Sequence, residues 1–179
     1  MVMAKLAGTV AVFVLAAVAG VAVQNATADF LLGAGKAGPL ESGLPVVDVY
    51  RLLKSENVAL VAKFPEGMFQ PVLEITLQGS TAKPSIIAEI DRSPCGNFAV
   101  TRMTVLDPRF RTKDGLGVGT TEVEMRRSFS FTISEDEGCH CAFIKPLNLT
   151  FSFDRQAAQK VSSVLVINDP VAIRAKRCP

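Results

Sequence analysis

Residues 72–78, Val-Leu-Glu-Ile-Thr-Leu-Gln, alternate apolar and polar side chains from Leu73 onwards. A period of two residues is typical of a β-strand that has one buried face and one face in water. Neighbouring segments repeat this alternation or form short apolar runs, and turn residues such as those at 92–97 separate them. Further strands are predicted at 86–90, 98–106 and 164–167, and the alternation recurs at 129–133 and 149–153. Residues 58–63 and 141–144 are short apolar runs.

Short turns, and not crossover helices, join most of these strands, which favours antiparallel pairing. A short N-terminal helix is predicted at 45–54, where apolar residues recur at helical spacing and Pro45 suits the first turn. A second short helix is predicted after Thr121, because Thr121 and Glu124 have the spacing of a capping box, and it ends near Ser128. The predicted fold class is therefore α+β, a mostly antiparallel sheet with two short helices, the second following a glycine-rich loop.

Residues 1–28 have the features of a secretory signal peptide. One positive charge, Lys5, precedes an uncharged run at 6–23, and Ala-Thr-Ala follows at 26–28. The alternative is an uncleaved membrane anchor, but Ala, Gly and Val dominate the run and make its transfer into a bilayer only modestly favourable. We expect cleavage, with no stable membrane anchor afterwards and a periplasmic or secreted location.

The remaining chain has the length of one domain. Residues 29–44 are rich in glycine and small side chains, which predicts a flexible lead-in, and residues 45–179 are predicted to form a single α+β domain. Loss of the one charge of Lys5 lowers the formal net charge from +2 to +1. A chain this close to neutral lacks the concentrated basic face that nucleic acid requires, so nucleic acid is not an expected partner.

Four cysteines, Cys95, Cys139, Cys141 and Cys178, suggest disulfides in an oxidising compartment. A bond from Cys139 to Cys141 would close a very tight ring, which bridge geometry disfavours. We therefore expect Cys95 and Cys178 each to pair with one of the other two, with the connectivity open. Free thiols are the alternative.

The segment 109–121 combines cations, three glycines at alternate positions and the start of the second predicted helix. Glycines let backbone N–H groups converge, and a helix N-terminus adds positive potential, so the segment is a candidate site for a small anion. The alternative is a tight connection in which the glycines adopt positive φ. The candidate binding residues are Arg109, Arg111, Gly115, Gly117, Gly119, Thr120 and Thr121.

This segment resembles a motif of uncharacterised exported proteins of Gram-negative bacteria. Arg109-Phe-Arg-Thr, followed by Asp114-Gly-Leu-Gly-Val-Gly-Thr and a short helix, carries the resemblance. It implies an envelope protein and supplies no catalytic residues. The chain departs from the motif after the helix, where Ser128-Phe129 stands in place of a Tyr-Gly or similar turn.

Cys139-His140-Cys141 is a second candidate site, because two thiolates and an imidazole can bind Cu(I) or Zn(II). Alternation along a strand would turn His140 away from both cysteines, so disulfide use is the preferred interpretation. No nucleophile elbow or phosphate-loop motif is present. The sequence thus predicts a disulfide-stabilised, non-enzymatic binding or structural protein of the bacterial envelope, without a cofactor, whose partner is an envelope protein or a small anionic ligand. A metal-handling protein is the first alternative, and a hydrolase or isomerase whose residues one sequence does not reveal is the second.

Overall fold

Eight antiparallel strands form the main sheet of this protein, and two helices and a second small sheet pack on it. The computed structural model describes residues 30–64, 67–93, 96–135, 139–155 and 159–167. In chain order its elements are β1 (Leu32–Gly33), β2 (Lys36–Ala37), β3 (Leu40–Glu41), α1 (Val46–Leu53), β4 (Val58–Lys63), β5 (Gln70–Ile75), β6 (Ile86–Arg92), β7 (Phe98–Val105), α2 (Glu122–Ser128), β8 (Ile133–Ser134), β9 (Cys141–Ile144), β10 (Leu149–Phe153) and β11 (Val161–Ile167).

The strand order of the main sheet is β4-β5-β6-β7-β11-β10-β9-β8. Every ladder in it is antiparallel, which confirms the α+β class with a mostly antiparallel sheet. The order consists of two four-stranded meanders, each preceded by a helix. Each meander starts at an edge of the sheet and ends at its centre, where Val105 of β7 is paired with Val164 of β11.

Residues 106–132 connect the two meanders. Because β7 ends at the centre and β8 lies at the far edge, this connection has to cross half of the sheet. It contains the glycine-rich segment and α2, and the two fully buried residues Phe110 and Met125 anchor it in the core. The candidate segment is therefore the crossover of the fold.

The core lies on one face of the main sheet. Alternate residues of the central strands, such as Met103 and Val105 of β7 and Val164 and Val166 of β11, are fully buried. Val49 of α1 is buried in the same cluster. Alternation along the strands therefore produces one continuous apolar face, as expected for a sheet covered on one side.

The prediction of a flexible lead-in at 29–44 is wrong for the described residues 30–44. These residues form the antiparallel sheet β1-β2-β3, in which Leu32, Ala37 and Leu40 are buried in the core. The glycines that suggested flexibility serve the tight turns of this sheet, and Gly35 and Gly38 have positive φ values of 66° and 59°. Residues 1–28, predicted as a signal peptide, lie outside the described residues.

The alternating segment 129–133 does not form a strand over its length, because β8 comprises only Ile133–Ser134. Phe129 and Phe131 are partly buried against the core, so their side chains pack without a neighbouring strand. The guanidinium of Arg126 lies 4.4 Å from the centre of the Phe131 ring and donates a hydrogen bond to the Phe131 carbonyl at 3.1 Å. These side-chain contacts replace the predicted backbone ladder.

Candidate functional site

The glycine-rich crossover begins with a turn built around Thr112, which is buried. The Thr112 hydroxyl accepts a hydrogen bond from the Leu116 amide at 3.1 Å, and the Thr112 amide donates to the Leu116 carbonyl at 2.8 Å. The Gly115 amide donates to the Thr112 carbonyl at 2.9 Å. Residues 112–116 thus close on themselves by hydrogen bonds within the turn.

The three alternate glycines are needed for two different structural reasons. Gly115 and Gly119 have positive φ values of 79° and 88°, which glycine adopts without steric cost. At Gly117 an added Cβ would lie 2.2 Å from the carbonyl oxygen of Phe110, so no side chain fits there. At this point the backbone of Gly117 lies against the backbone of Phe110. Glycine permits the contact because it has no Cβ.

The amides of these glycines are bonded within the protein. Besides the Gly115 bond, the Gly117 amide donates to the Thr120 hydroxyl at 3.0 Å and the Gly119 amide donates to the Val161 carbonyl at 2.7 Å. An anion would have to compete with all three acceptors. The glycine amides therefore do not form the convergent anion site considered from the sequence, and the tight connection is the arrangement that the structure has.

Arg109 is a structural residue of the crossover. Its Nε and Nη2 donate to the carboxylate of Asp107 at 3.1 and 2.7 Å, and its Nη1 donates to the Gln78 carbonyl at 2.8 Å. Its guanidinium also lies 4.5 Å from the centre of the Phe30 ring. This one side chain joins the crossover to the β5–β6 connection and to the start of the described chain.

Asp107 is fully buried. Burial alone raises the pKa of its carboxyl, but hydrogen bonds from the Arg109 side chain and backbone and from Ser80 outweigh burial and hold the pKa below its usual value. The hydrogen bonds that Arg109 donates to the Asp107 carboxylate raise the pKa of Arg109 in turn. Both groups are therefore charged at neutral pH and form a pair that stabilises the fold.

Arg111 lies on a different surface. Its Nη1 donates to the Thr120 hydroxyl at 2.9 Å, and this is the one acceptor that the described residues supply to it. Burial lowers the pKa of Arg111, and the nearby charge of Glu124 partly offsets that effect. Arg111 thus presents a partly desolvated guanidinium, still charged, with most of its N–H donors unused.

A groove of ≈ 380 Å³ lies beside this guanidinium, and we call it the Arg111 groove. Arg127 forms part of its wall and, like Arg111, has no carboxylate within 4.0 Å among the described residues. The remaining lining residues are Asp114, Gly115, Leu116, Gly119, Thr120, Glu124 and Ser128.

The groove separates the predicted binding residues into two groups. Arg111, Gly115, Gly119 and Thr120 line it, whereas Arg109, Gly117 and Thr121 do not. Sequence reasoning did not assign Arg127 to the site. The signal for it was the spacing of Glu124 and Arg127, which places both on the same side of a helix.

Thr121 is the N-cap of α2. Its hydroxyl accepts from the Glu124 amide at 3.2 Å, and the Glu124 carboxylate accepts from the Thr121 amide at 2.8 Å, so a complete capping box is present. Hydrogen bonds from the Thr121 backbone and hydroxyl lower the pKa of Glu124. The hydrogen-bonding groups of Thr121 are thus engaged at the start of the helix.

Cys139-His140-Cys141 lies where the chain enters β9. The sulfur atoms of Cys139 and Cys141 are in contact across a Cα–Cα distance of 5.5 Å, which is the pairing that we expected ring geometry to disfavour. The prediction that Cys95 and Cys178 each pair with one of these two cysteines is therefore wrong, because Cys139 and Cys141 pair with each other. Cys95 and Cys178 themselves lie outside the described residues. His140 directs Nδ1 to a carboxylate oxygen of Glu135 at 2.6 Å, and its ring meets the Phe153 ring in an edge-to-face arrangement with the centroids 5.9 Å apart.

This cluster offers little for a metal. Among the described residues, no three Cys, His, Asp or Glu side chains are arranged to hold a metal ion. The Cys139 and Cys141 sulfurs contact each other, and one nitrogen of His140 is engaged by Glu135. No observation of the described residues therefore favours the metal-handling alternative over the disulfide.

The fold defines the protein as a two-layer α+β domain in which helices and a small sheet cover one face of an antiparallel sheet. It is similar to the crystal structure of the uncharacterized protein yfeY from Escherichia coli, with a TM-score of 0.52 and 14% sequence identity. The match covers 76% of this chain and 97% of that chain. No protein-family model and no curated protein matches the sequence. The similarity therefore concerns the fold alone.

Within the described ranges, neither helix is long and apolar enough to cross a membrane.

Proposed function

We propose that this chain is an exported, non-enzymatic binding protein of the bacterial envelope, and that a small anionic ligand binds in the Arg111 groove. One observation carries the ligand class. Arg109 and Arg126, which pack on aromatic rings, are each paired with a carboxylate, whereas Arg111 and Arg127 line one groove with no carboxylate within 4.0 Å among the described residues.

The chemistry of the groove favours a carboxylate or phosphate. Guanidinium groups donate paired hydrogen bonds to planar anions, and partial burial strengthens such bonds. Asp114 and Glu124 also line the groove, so its four charged side chains sum to zero. Directed hydrogen bonds, and not a net positive field, would therefore supply the affinity.

The export part of the proposal is supported by the leader at 1–28, where Lys5, an apolar run and a small-residue end follow in the order of a signal peptide. Fractionation of a Gram-negative host that expresses the full chain tests it. We expect a periplasmic product whose first residue is Asp29. A product in the cytosol that retains Met1 would overturn this part.

Ligand binding is tested by NMR titration with inorganic phosphate and with citrate. We expect one of the two anions to shift the amide resonances of Thr120 and Arg127. Arg127→Gln should weaken that binding at least about tenfold, because a hydrogen bond to a charged group contributes roughly 1.5–3 kcal/mol.

Arg92→Gln is the matched control, since Arg92 is exposed, lies on β6 and does not line the groove. It should leave the titration unchanged. The proposed ligand class is wrong if neither anion shifts these resonances, or if the two variants weaken binding equally.

A further inference from the structure

The edge strand β4 is open on one side. Its register pairs all six residues, Val58 to Lys63, with β5, and among the described residues no other strand lies beside it. Half of the backbone N–H and C=O groups of an edge strand point away from its one neighbour. The Val58 amide donates to the Ser55 carbonyl, and beyond it β4 presents a row of outward backbone groups, at Leu60 and Ala62, that no strand of the described residues pairs with.

The side chains of β4 do not protect this edge. The strand reads Val-Ala-Leu-Val-Ala before Lys63, so its first five residues are uncharged and apolar. Leu60, in the middle, is 62% exposed. Proteins that keep an edge strand free usually place charges, proline or a bulge along it, and β4 has none of these before its last residue.

The aromatic residues next to β4 extend the apolar surface. Phe64 follows the strand directly and Phe69 precedes β5, and their rings lie 5.8 Å apart in an edge-to-face arrangement. Met68 is beside them, and all three side chains are about two-thirds exposed, at 64–66%. An apolar surface of this kind marks an interaction site more often than a solvated face.

The opposite edge of the sheet is built differently. β8 has two residues, Ile133 and Ser134, and the charged residue Glu135 follows it. The Glu135 carboxylate contacts His140 at 2.6 Å and Arg155 at 3.0 Å. A short edge flanked by charge is the usual protection against strand pairing, so of the two edges that the described main sheet has, the β4 edge is the one open to a partner.

We propose that β4 pairs with β4 of a second copy of this chain, antiparallel, about a two-fold axis at Leu60. The axis must be perpendicular to the sheet, and opposite residues in an antiparallel pair lie on the same face. Two residues that face each other across the pair must therefore both have even numbers or both have odd numbers. The two-fold axis then passes beside one residue position, which faces its own copy, and not between two positions.

The axis at Leu60 gives the most complementary pairing. It places Val58 opposite Ala62 of the second copy and Ala59 opposite Val61, so each larger side chain meets a smaller one, and the two Leu60 side chains meet at the centre. Lys63, whose ammonium is paired with Glu74 of its own chain at 3.1 Å, falls opposite Asn57, so no like charge faces it. A parallel arrangement would instead place the two Lys63–Glu74 pairs side by side.

Closure follows from the same geometry. A two-fold contact uses the same edge on both copies and leaves no second β4 edge free. The dimer then has one continuous sheet of sixteen strands, twice the eight of one copy, and a protected β8 strand at each end. A dimer, and no larger assembly, is the expected product.

Sedimentation velocity of the purified protein over a concentration series tests the proposal. We expect a monomer–dimer equilibrium. Leu60→Lys places two ammonium groups against each other at the axis and should raise the dissociation constant at least about 100-fold, because like charges in contact cost several kcal/mol. Val123→Lys is the matched control, since Val123 is a similarly exposed apolar residue, at 65%, on α2.

A crosslink tests the register. Leu60→Cys should form an oxidised dimer in which mass spectrometry finds the residue-60 peptide joined to itself, and Val123→Cys should form none. Circular dichroism of Leu60→Lys, unchanged from the parent, separates loss of association from loss of fold. The proposal is overturned by a monomeric parent protein, by a larger oligomer, or by a Leu60→Lys variant that still dimerises.

Discussion

Residues 115–119 of the crossover and residues 58–62 of the edge strand β4 are both uncharged, yet the hydrogen bonding of their backbones differs. In the crossover, the amides of Gly115, Gly117 and Gly119 all donate to acceptors of the same chain. In β4, no strand of the described residues pairs with the outer side of the backbone. Glycines bring the chain close to itself in the first region, whereas the position of β4 at the end of the sheet leaves its edge accessible in the second.

The two regions should therefore respond differently to substitution. A change in the crossover removes contacts on which the fold depends, so it should lower the free energy of unfolding. A change on the exposed side of β4 removes nothing from the folded monomer, so it should alter association alone. The following substitutions test this difference.

Gly117→Ala should have the largest effect. The added Cβ lies 2.2 Å from the Phe110 carbonyl oxygen, so backbone must move, and we expect a loss of about 3 kcal/mol in the free energy of unfolding, at the upper end for overpacking. Gly33→Ala is the control, because a Cβ there meets nothing within 4 Å, and it should change stability by less than about 0.5 kcal/mol. Urea unfolding of both variants measures the difference, and equal midpoints would contradict the assigned role of Gly117.

Asp107→Asn should cost about 2 kcal/mol at neutral pH, because it removes the charge of a fully buried carboxylate that accepts hydrogen bonds from Arg109. Asp48→Asn is the matched control. It removes a surface pair with Arg51, whose side chain is 74% exposed, and should cost less than about 1 kcal/mol. Similar losses in the free energy of unfolding would show that the buried Asp107–Arg109 pair stabilises the fold no more than the surface pair does.

The effect of Asp107→Asn should depend on pH in a defined direction. The pKa of Asp107 is lowered in the folded state, so its ionised form stabilises the fold above the unfolded pKa, about 3.9. That stabilisation is lost as pH falls through the lower, folded pKa. The difference between parent and variant should be full at pH 7 and shrink below about pH 4, as urea titrations at several pH values would record.

Leu60→Lys should have the smallest effect on the folded monomer. Leu60 is mostly exposed, so we expect a change below about 0.5 kcal/mol in unfolding measured at concentrations where the protein is monomeric. Leu73→Ala is the comparison, because Leu73 is the cross-strand partner of Leu60 and is fully buried, and it should cost about 2–5 kcal/mol. A large loss in Leu60→Lys would show that β4 belongs to the packed core.

Local patterns were sufficient for most of the strands. Period-two alternation predicted strands at 72–78 and 149–153, and the structure has β5 at Gln70–Ile75 and β10 at Leu149–Phe153. The same pattern failed at 129–133, because alternation requires a buried face but does not require a neighbouring strand. There the rings of Phe129 and Phe131 contribute to the core from an irregular backbone.

The candidate site was only partly predictable. The spacing of Thr121 and Glu124 indicated a capping box, and that hydrogen-bonding pattern involves residues only three positions apart. Arg109 and Arg111 were equivalent in the sequence, yet Arg109 binds buried Asp107 while Arg111 lines the groove with Arg127. The distinction depends on where the crossover lies on the core, which no local spacing records.

The amino-acid sequence by itself determined the antiparallel α+β class of this protein, since alternation of side chains and short turns are properties of neighbouring residues. Tertiary structure decided that β7 lies beside β11, that Gly117 meets the Phe110 backbone, and that the apolar strand β4 lies at an edge. Each of these depends on which distant segments meet. These long-range contacts form because they bury one continuous apolar face, and residues from the whole chain contribute to that face.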